Sequence, residues 1–261
     1  MKLKLIAAVV GLALSAASQA QIVPPTTTGG SDLLLDVWEQ GAANGAPDQS
    51  FTLNLGETMS QFLASDASSS TLATVLSTDS TWTSFLSSSS AVAGDLQWSV
   101  VASGSKVPTR SSYLGSVTAG EDPVGFGATN ANVNSGNTTL NEVIANMNVA
   151  ATPNEQVNVK GSAAYYQTNN LSNISSNSWD NGNNLGATGV QIAQALNVGG
   201  VVSTTANTTV LPGVLGFVQN ATTGNYVLSY SVAAVPEAPG FGMVLAGLFA
   251  LSFVALRRKN A

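Results

Sequence analysis

Sixteen residues near the end of the chain, Phe241 to Leu256, contain no charged side chain and run directly into Arg257, Arg258 and Lys259. As a helix this run would rise roughly 24 Å, somewhat less than the roughly 30 Å hydrocarbon core of a bilayer. It is a marginal membrane span, and its arginines can extend its reach by snorkelling. The positive-inside bias places the basic end in the cytoplasm and everything before the span outside it. At the other terminus Lys2 and Lys4 precede an apolar segment, Leu5 to Leu14, and Ser18-Gln19-Ala20 forms a small-x-small cleavage site. That is the layout of a secretory signal peptide over residues 1–20, with cleavage expected between Ala20 and Gln21. Any globular fold must therefore be built between the two segments.

Immediately before the span stands Val235-Pro236-Glu237-Ala238-Pro239. A Pro-containing polar motif, one hydrophobic span and a cationic stop make a tripartite tail over residues 235–261. It resembles the PEP-CTERM sorting signal of exported bacterial proteins. Pro236, Glu237, Arg257 and Arg258 match that pattern, and Val235 stands where the family has its valine. Ala238 occupies the place of the usual second proline, displacing that proline to Pro239. The resemblance implies a protein that meets signal peptidase first and an exosortase-type membrane protease second. It further implies a precursor in the inner membrane, a mature form at the cell surface or in the extracellular matrix, and a host that makes extracellular polysaccharide. A plain single-pass anchor would need the span and basic end but not the motif.

Five of the eight bases belong to these targeting segments, so Gln21 to Pro236 keeps three bases against thirteen acids, a net charge of −10. Such a body has no basic patch for nucleic acid. Cysteine and histidine are both absent. Their absence excludes Cys nucleophiles, His general bases, thiolate or imidazole zinc sites and c-type haem attachment, and leaves stability to burial in one core-forming domain.

Residues 21–31, with Pro24-Pro25 and a Thr triplet, are expected as a linker to a β-rich domain over residues 32–234. Leu33–Trp38 and Ser50–Leu55 are expected to form a hairpin, the second alternating with Phe51, Leu53 and Leu55 inward. Asp79–Leu86 is expected as a short helix, Asp95–Ser103 as a strand with Leu96, Trp98 and Val100 in phase, and Tyr113–Thr118 as its partner. Glu121–Gly136, rich in Gly and Asn, is expected as a long loop. Thr139 and Glu142 have capping-box spacing, and Leu140, Val143, Ile144 and Met147 form one apolar stripe, so a helix is expected from Thr139. Val157–Gln167 and Val198–Thr205 resemble strands. Leu215–Gln219 and Tyr226–Val232 flank a loop, Asn220–Asn225, suited to a terminal hairpin. Together these predict a mainly β, single, sandwich-like domain with two or three short helices.

Nothing in the body demands catalysis. Ser103-Gly104-Ser105-Lys106 fits S-x-x-K, but at a strand end rather than across a helical turn, and no K-T-G follows. Asp180-Asn181-Gly182-Asn183-Asn184 offers oxygens suited to calcium, yet Gly182 falls where an EF-hand needs a ligand and a plain Asn-Gly turn accounts for the same residues. Trp38, Trp82 and Trp98 are expected in the core. Trp179, beside Asp180 in Asn-rich surroundings, is the indole placed to stack on a sugar. Asn137, Asn170, Asn173, Asn207 and Asn220 each begin an N-x-[ST] sequence of the kind an Asn- and Ser-rich chain generates by chance. The expectation is a non-enzymatic exported protein without metal or cofactor, with an extracellular polysaccharide-binding module as the alternative.

Overall fold

The computed structural model describes residues 21–39, 48–65, 68–88, 96–105, 110–117, 120–122, 127–150, 152, 154–165 and 182–233. The expected signal peptide and sorting tail lie outside these residues, as do Trp179 and Asp180. Among the described residues no helix is long and apolar enough to cross a membrane.

The protein is mainly β. Its strands are β1 (Asp32–Glu39), β2 (Gln49–Thr58), β3 (Ser70–Val75), β4 (Leu96–Gly104), β5 (Ser112–Ser116), β6 (Glu155–Val159), β7 (Asn183–Asn184), β8 (Thr188–Leu196), β9 (Asn207–Gln219) and β10 (Tyr226–Val232). Among the described residues three helices accompany them: α1 (Met59–Ser65), α2 (Ser80–Ser88) and α3 (Asn130–Met147). The strands form one antiparallel sheet in the order β3-β10-β9-β8-β5-β4-β1-β2-β6, with β7 pairing β4 beside the main path.

Strand β1 is buried on both of its faces. All eight of its residues are buried; Leu33, Leu35 and Val37 enter one apolar core while Leu34 and Trp38 enter another on the opposite face. The first core shows that the sheet is curled. Strands β2 and β10 are six steps apart in the sheet, roughly 29 Å if it were flat. Yet Trp82 of α2 touches Phe51 of β2 and Tyr226 of β10, with ring centroids 4.9 and 5.2 Å apart. Likewise Trp98 of β4 meets Phe217 of β9 at 5.9 Å across two intervening strands. The helix α2 thus plugs the concave side. On the convex side α3 lays Val133, Leu140, Val143, Ile144 and Met147 over Leu34, Val101 and Tyr113.

The expected β1–β2 hairpin, the β4–β5 pair and the terminal β9–β10 hairpin are all present. The helix expected at Asp79–Leu86 is α2, with Asp79 as its cap: Oδ1 accepts from the N–H groups of Thr81 and Trp82 at 2.8 and 3.0 Å. Four expectations are corrected. Residues 21–31 are no linker, because Ile22 is fully buried in the α3 core and its N–H and carbonyl are both bonded by the Asn148 side chain at 2.9 Å. Glu121–Gly136 is not a long loop, since helix α3 begins at Asn130. Its capping box is made by Thr129 and Asn132 rather than by Thr139 and Glu142. Val198–Thr205 is not a strand: Gly199 and Gly200 turn the chain with φ of 84° and 86°, and only Thr205 makes a single bridge, to Thr129. Strands β3 and β8 were not expected at all.

Candidate functional site

Of the residues singled out from sequence, Gln21 is described and Ala20, Val235, Pro236, Glu237, Pro239, Arg257, Arg258 and Lys259 lie outside the described residues. Gln21 is exposed, directly before the clasped Ile22, so the expected new N-terminus would stand at the surface of the folded body. At the other end β10 stops at Val232, three residues before the Val235 motif. The candidate processing sites thus adjoin the described body at both ends.

The Asn-rich loop is described from Gly182 onward, and there it serves the fold. Gly182 has φ of 90°, and a Cβ on it would lie 2.6 Å from the Trp38 ring and 2.7 Å from Gln97. Glycine is required twice over, for backbone and for close approach. Asn183 Nδ2 donates to the Val117 carbonyl at 3.4 Å, the Asn184 side-chain oxygen accepts from Gln97, and the Asn184 carbonyl accepts from the Trp98 indole at 3.0 Å. These oxygens are committed to the protein, leaving the described half of the loop without a free side-chain ligand at Asn184 for calcium. Among the described residues no group of three acidic side chains is arranged to hold a metal.

Trp38, Trp82 and Trp98 are core residues, as expected. Ser103 is fully buried in β4, where its N–H donates to the Ser31 hydroxyl at 3.0 Å, so a substrate has no path to its side-chain oxygen. Of the sequons, Asn137 is buried inside α3 with Nδ2 directed to the Gly104 carbonyl, and Asn220 uses its side-chain oxygen to hold the β9–β10 turn. Asn170 and Asn173 lie outside the described residues.

Folding assembles two acidic groupings that no local motif reveals. Glu39 and Asp48 are both buried beside Tyr165, whose phenol is pushed up by burial and by the charges of Asp48 and Glu39. Lys160 pairs with Asp48 and neutralises part of that charge. The second grouping is Asp79 with Glu155 of β6. Burial, then the Asp79 charge and its hydrogen bond, raise the Glu155 carboxyl to about 7. Asp79 Oδ1 is already engaged by the N–H groups of Thr81 and Trp82, so it is held by the fold rather than presented to a substrate. This cap of α2 makes the pair a structural joint between α2 and β6.

That joint gives a pH dependence. A carboxyl whose pKa is higher folded than unfolded favours the fold while protonated, fully below its unfolded value of 4.5, and the contribution is lost as pH rises through 7. Thermal melts should therefore show stability falling between pH 5 and 8, by on the order of 1 kcal/mol once the solvent reaching this half-buried group is allowed for. Glu155→Gln should flatten the profile and melt higher than wild type at pH 8. A wild-type profile that rises across this window would refute the assignment.

Comparison with protein-family models, with curated proteins and with solved structures finds no match to this chain.

Proposed function

We propose that this chain is an exported, non-enzymatic cell-surface or extracellular-matrix protein, delivered by a signal peptide and sorted through a PEP-CTERM-like tail processed by an exosortase-type protease. The observation that carries the reading is the order Val235-Pro236-Glu237, apolar span, Arg257-Arg258-Lys259. It is supported by the body before it. That body has an acidic, hydroxyl-rich composition with few charged residues, and it lacks cysteine and histidine. The curl that sets β2 opposite β10 across Trp82 supports reading the scaffold as sandwich-like.

A second reading, an extracellular polysaccharide-binding module, is favoured by two adjoining open clefts walled by asparagine, serine and threonine. Retention of the protein on immobilised polysaccharide from its host would support it.

Intact mass of the mature protein tests the first reading at both ends. The expected species begins at Gln21 and lacks the residues after the Pro236-Glu237 motif. A protein that still ends at Ala261 and fractionates with the inner membrane would be a plain single-pass anchor, and one that retains Met1 would have an uncleaved N-terminal segment.

A further inference from the structure

Arg110 and Lys160 are the cations among the described residues, and Lys160 is paired with Asp48. Arg110 is exposed and makes no ion pair or hydrogen bond among the described residues. Its position is nonetheless built. The guanidinium lies against Gly199, where a Cβ would come within 2.7 Å of Nη1, and the φ of 84° there independently favours glycine. The loop carrying Gly199 is fixed from beneath by the buried Asn130. Its Nδ2 donates to the carbonyls of Gly199 and Val201 at 2.7 and 3.2 Å, and its Oδ1 accepts from the Val198 N–H at 3.1 Å. A rigid loop, a flat seat and an unspent guanidinium meet at one place.

That place is an open cleft of about 470 Å³ lined by Arg110 with Leu196, Asn197, Val198, Thr205 and Asn207. A second cleft of about 360 Å³ has Ser105, Ser111, Asn134 and Asn141 among its walls. The two adjoin through Asn197, whose Nδ2 donates to Asn134 Oδ1 at 3.3 Å. Apart from Arg110, the polar groups that the described residues bring to both walls are neutral amides and hydroxyls, and Leu196 and Val198 add apolar surface. This is the chemistry for a ligand with many hydroxyls, some exposed C–H surface, and one negative group for a guanidinium that stays charged and binds carboxylates in a two-pronged fashion. A dense polyanion such as nucleic acid needs several cations, and the acidic body would repel it.

The geometry points to Arg110 as the carboxylate anchor of a binding site for a uronic-acid-bearing saccharide, the chain of which continues from the Arg110 cleft towards Ser111 and Asn134. The inference rests on the reading that the body functions outside the cell and gives its polysaccharide-binding form a substrate class. Among the described residues the walls of both clefts contain no aromatic side chain, so affinity should be modest and dependent on salt.

The test is calorimetric titration of the mature protein purified from its host, with trigalacturonic acid, maltotriose and triglutamate as probes. Trigalacturonic acid should bind at least tenfold more tightly than maltotriose or triglutamate. Arg110→Gln should weaken it at least tenfold with an unchanged melting temperature, and Arg110→Lys should fall between. Equal binding of the two sugars, equal binding of triglutamate, absence of binding to trigalacturonic acid, or an Arg110→Gln protein that binds like wild type would each overturn the inference. The export reading is decided separately, by the mature mass, and would survive that failure.

Discussion

Trp82→Ala should cost about 3–5 kcal/mol, the range for deleting a buried large aromatic side chain, and for a body of this size lower the melting temperature by roughly 10 °C. The reason lies in where the indole sits. Trp82 projects from α2 into the concave side of the sheet and touches Phe51, Phe85, Phe217 and Tyr226, so one side chain joins strands that the sheet itself keeps far apart. Removing it leaves a cavity bordered by strands from both ends of the curl, which cannot all close in without uncurling. The near-ultraviolet circular dichroism melt is the measurement. A companion substitution separates packing from hydrogen bonding. The Trp82 N–H is buried without a partner among the described residues, whereas the Trp98 N–H is bonded to the Asn184 carbonyl. Replacing each by Phe should hurt more at Trp98, because there a buried carbonyl loses its donor, while at Trp82 an unsatisfied polar group is removed. If the order were reversed, the account of this core would be wrong.

Those core tryptophans are legible from sequence because strand alternation and the apolar pairs along α2 point inward whatever the tertiary arrangement. The elements that escape a sequence reading are governed by contacts distant along the chain. Residues Asn130 to Gly136 read as loop because Asn and Gly are poor helix formers. In the fold, Asn132 completes the cap with Thr129, Asn130 ties down the 198–204 segment, and Gly136 is buried, so tertiary bonds outweigh propensity. The reverse holds at Val198–Thr205, where Val201, Val202, Thr204 and Thr205 have strand propensity. Two left-handed glycines and the ties to Asn130 and Ala131 instead shape a turn that leaves Val201 and Val202 largely exposed. Strand β3 has a Ser- and Thr-rich sequence with little alternation, and it becomes a strand because β10 offers it an edge.

The same distinction applies to sites. The proposed targeting signals would be local by nature, since a protease or translocation machinery reads an extended segment, and reading them needs no fold. The Asp79–Glu155 contact and the Arg110 cleft join positions separated by about 75 to 95 residues, and no spacing rule finds them. The lack of cysteine and histidine, by contrast, removes whole classes of chemistry on composition alone.

Replacing Pro236 and Glu237 together by Ala should convert the mature product from a trimmed, released protein into a full-length one held in the inner membrane. The short span favours processing: sixteen uncharged, mostly apolar residues suit a processing intermediate better than a permanent anchor. Proline fixes its own φ and drives the preceding residue away from helix, so Pro236 and Pro239 would keep the segment before the span extended, the form a protease active site accepts. Alanine at 236 and 237 deletes the Pro-Glu pair that the protease is expected to read and relaxes the backbone there, while Pro239 still limits extension of the span's helix into the motif. Arg257 and Arg258 would still act as the cytoplasmic stop, so insertion and topology should be unchanged. The folded body should also be unaffected, since β10 ends at Val232 and its pairing with β9 is complete at Gly213. Intact mass and membrane fractionation of wild type and variant in the native host read the result, with an unchanged melting temperature of the body as the control. Release of the double variant at the wild-type mass would mean that no protease reads Pro236 and Glu237, and that the tail is cut, if at all, by recognition of the span alone.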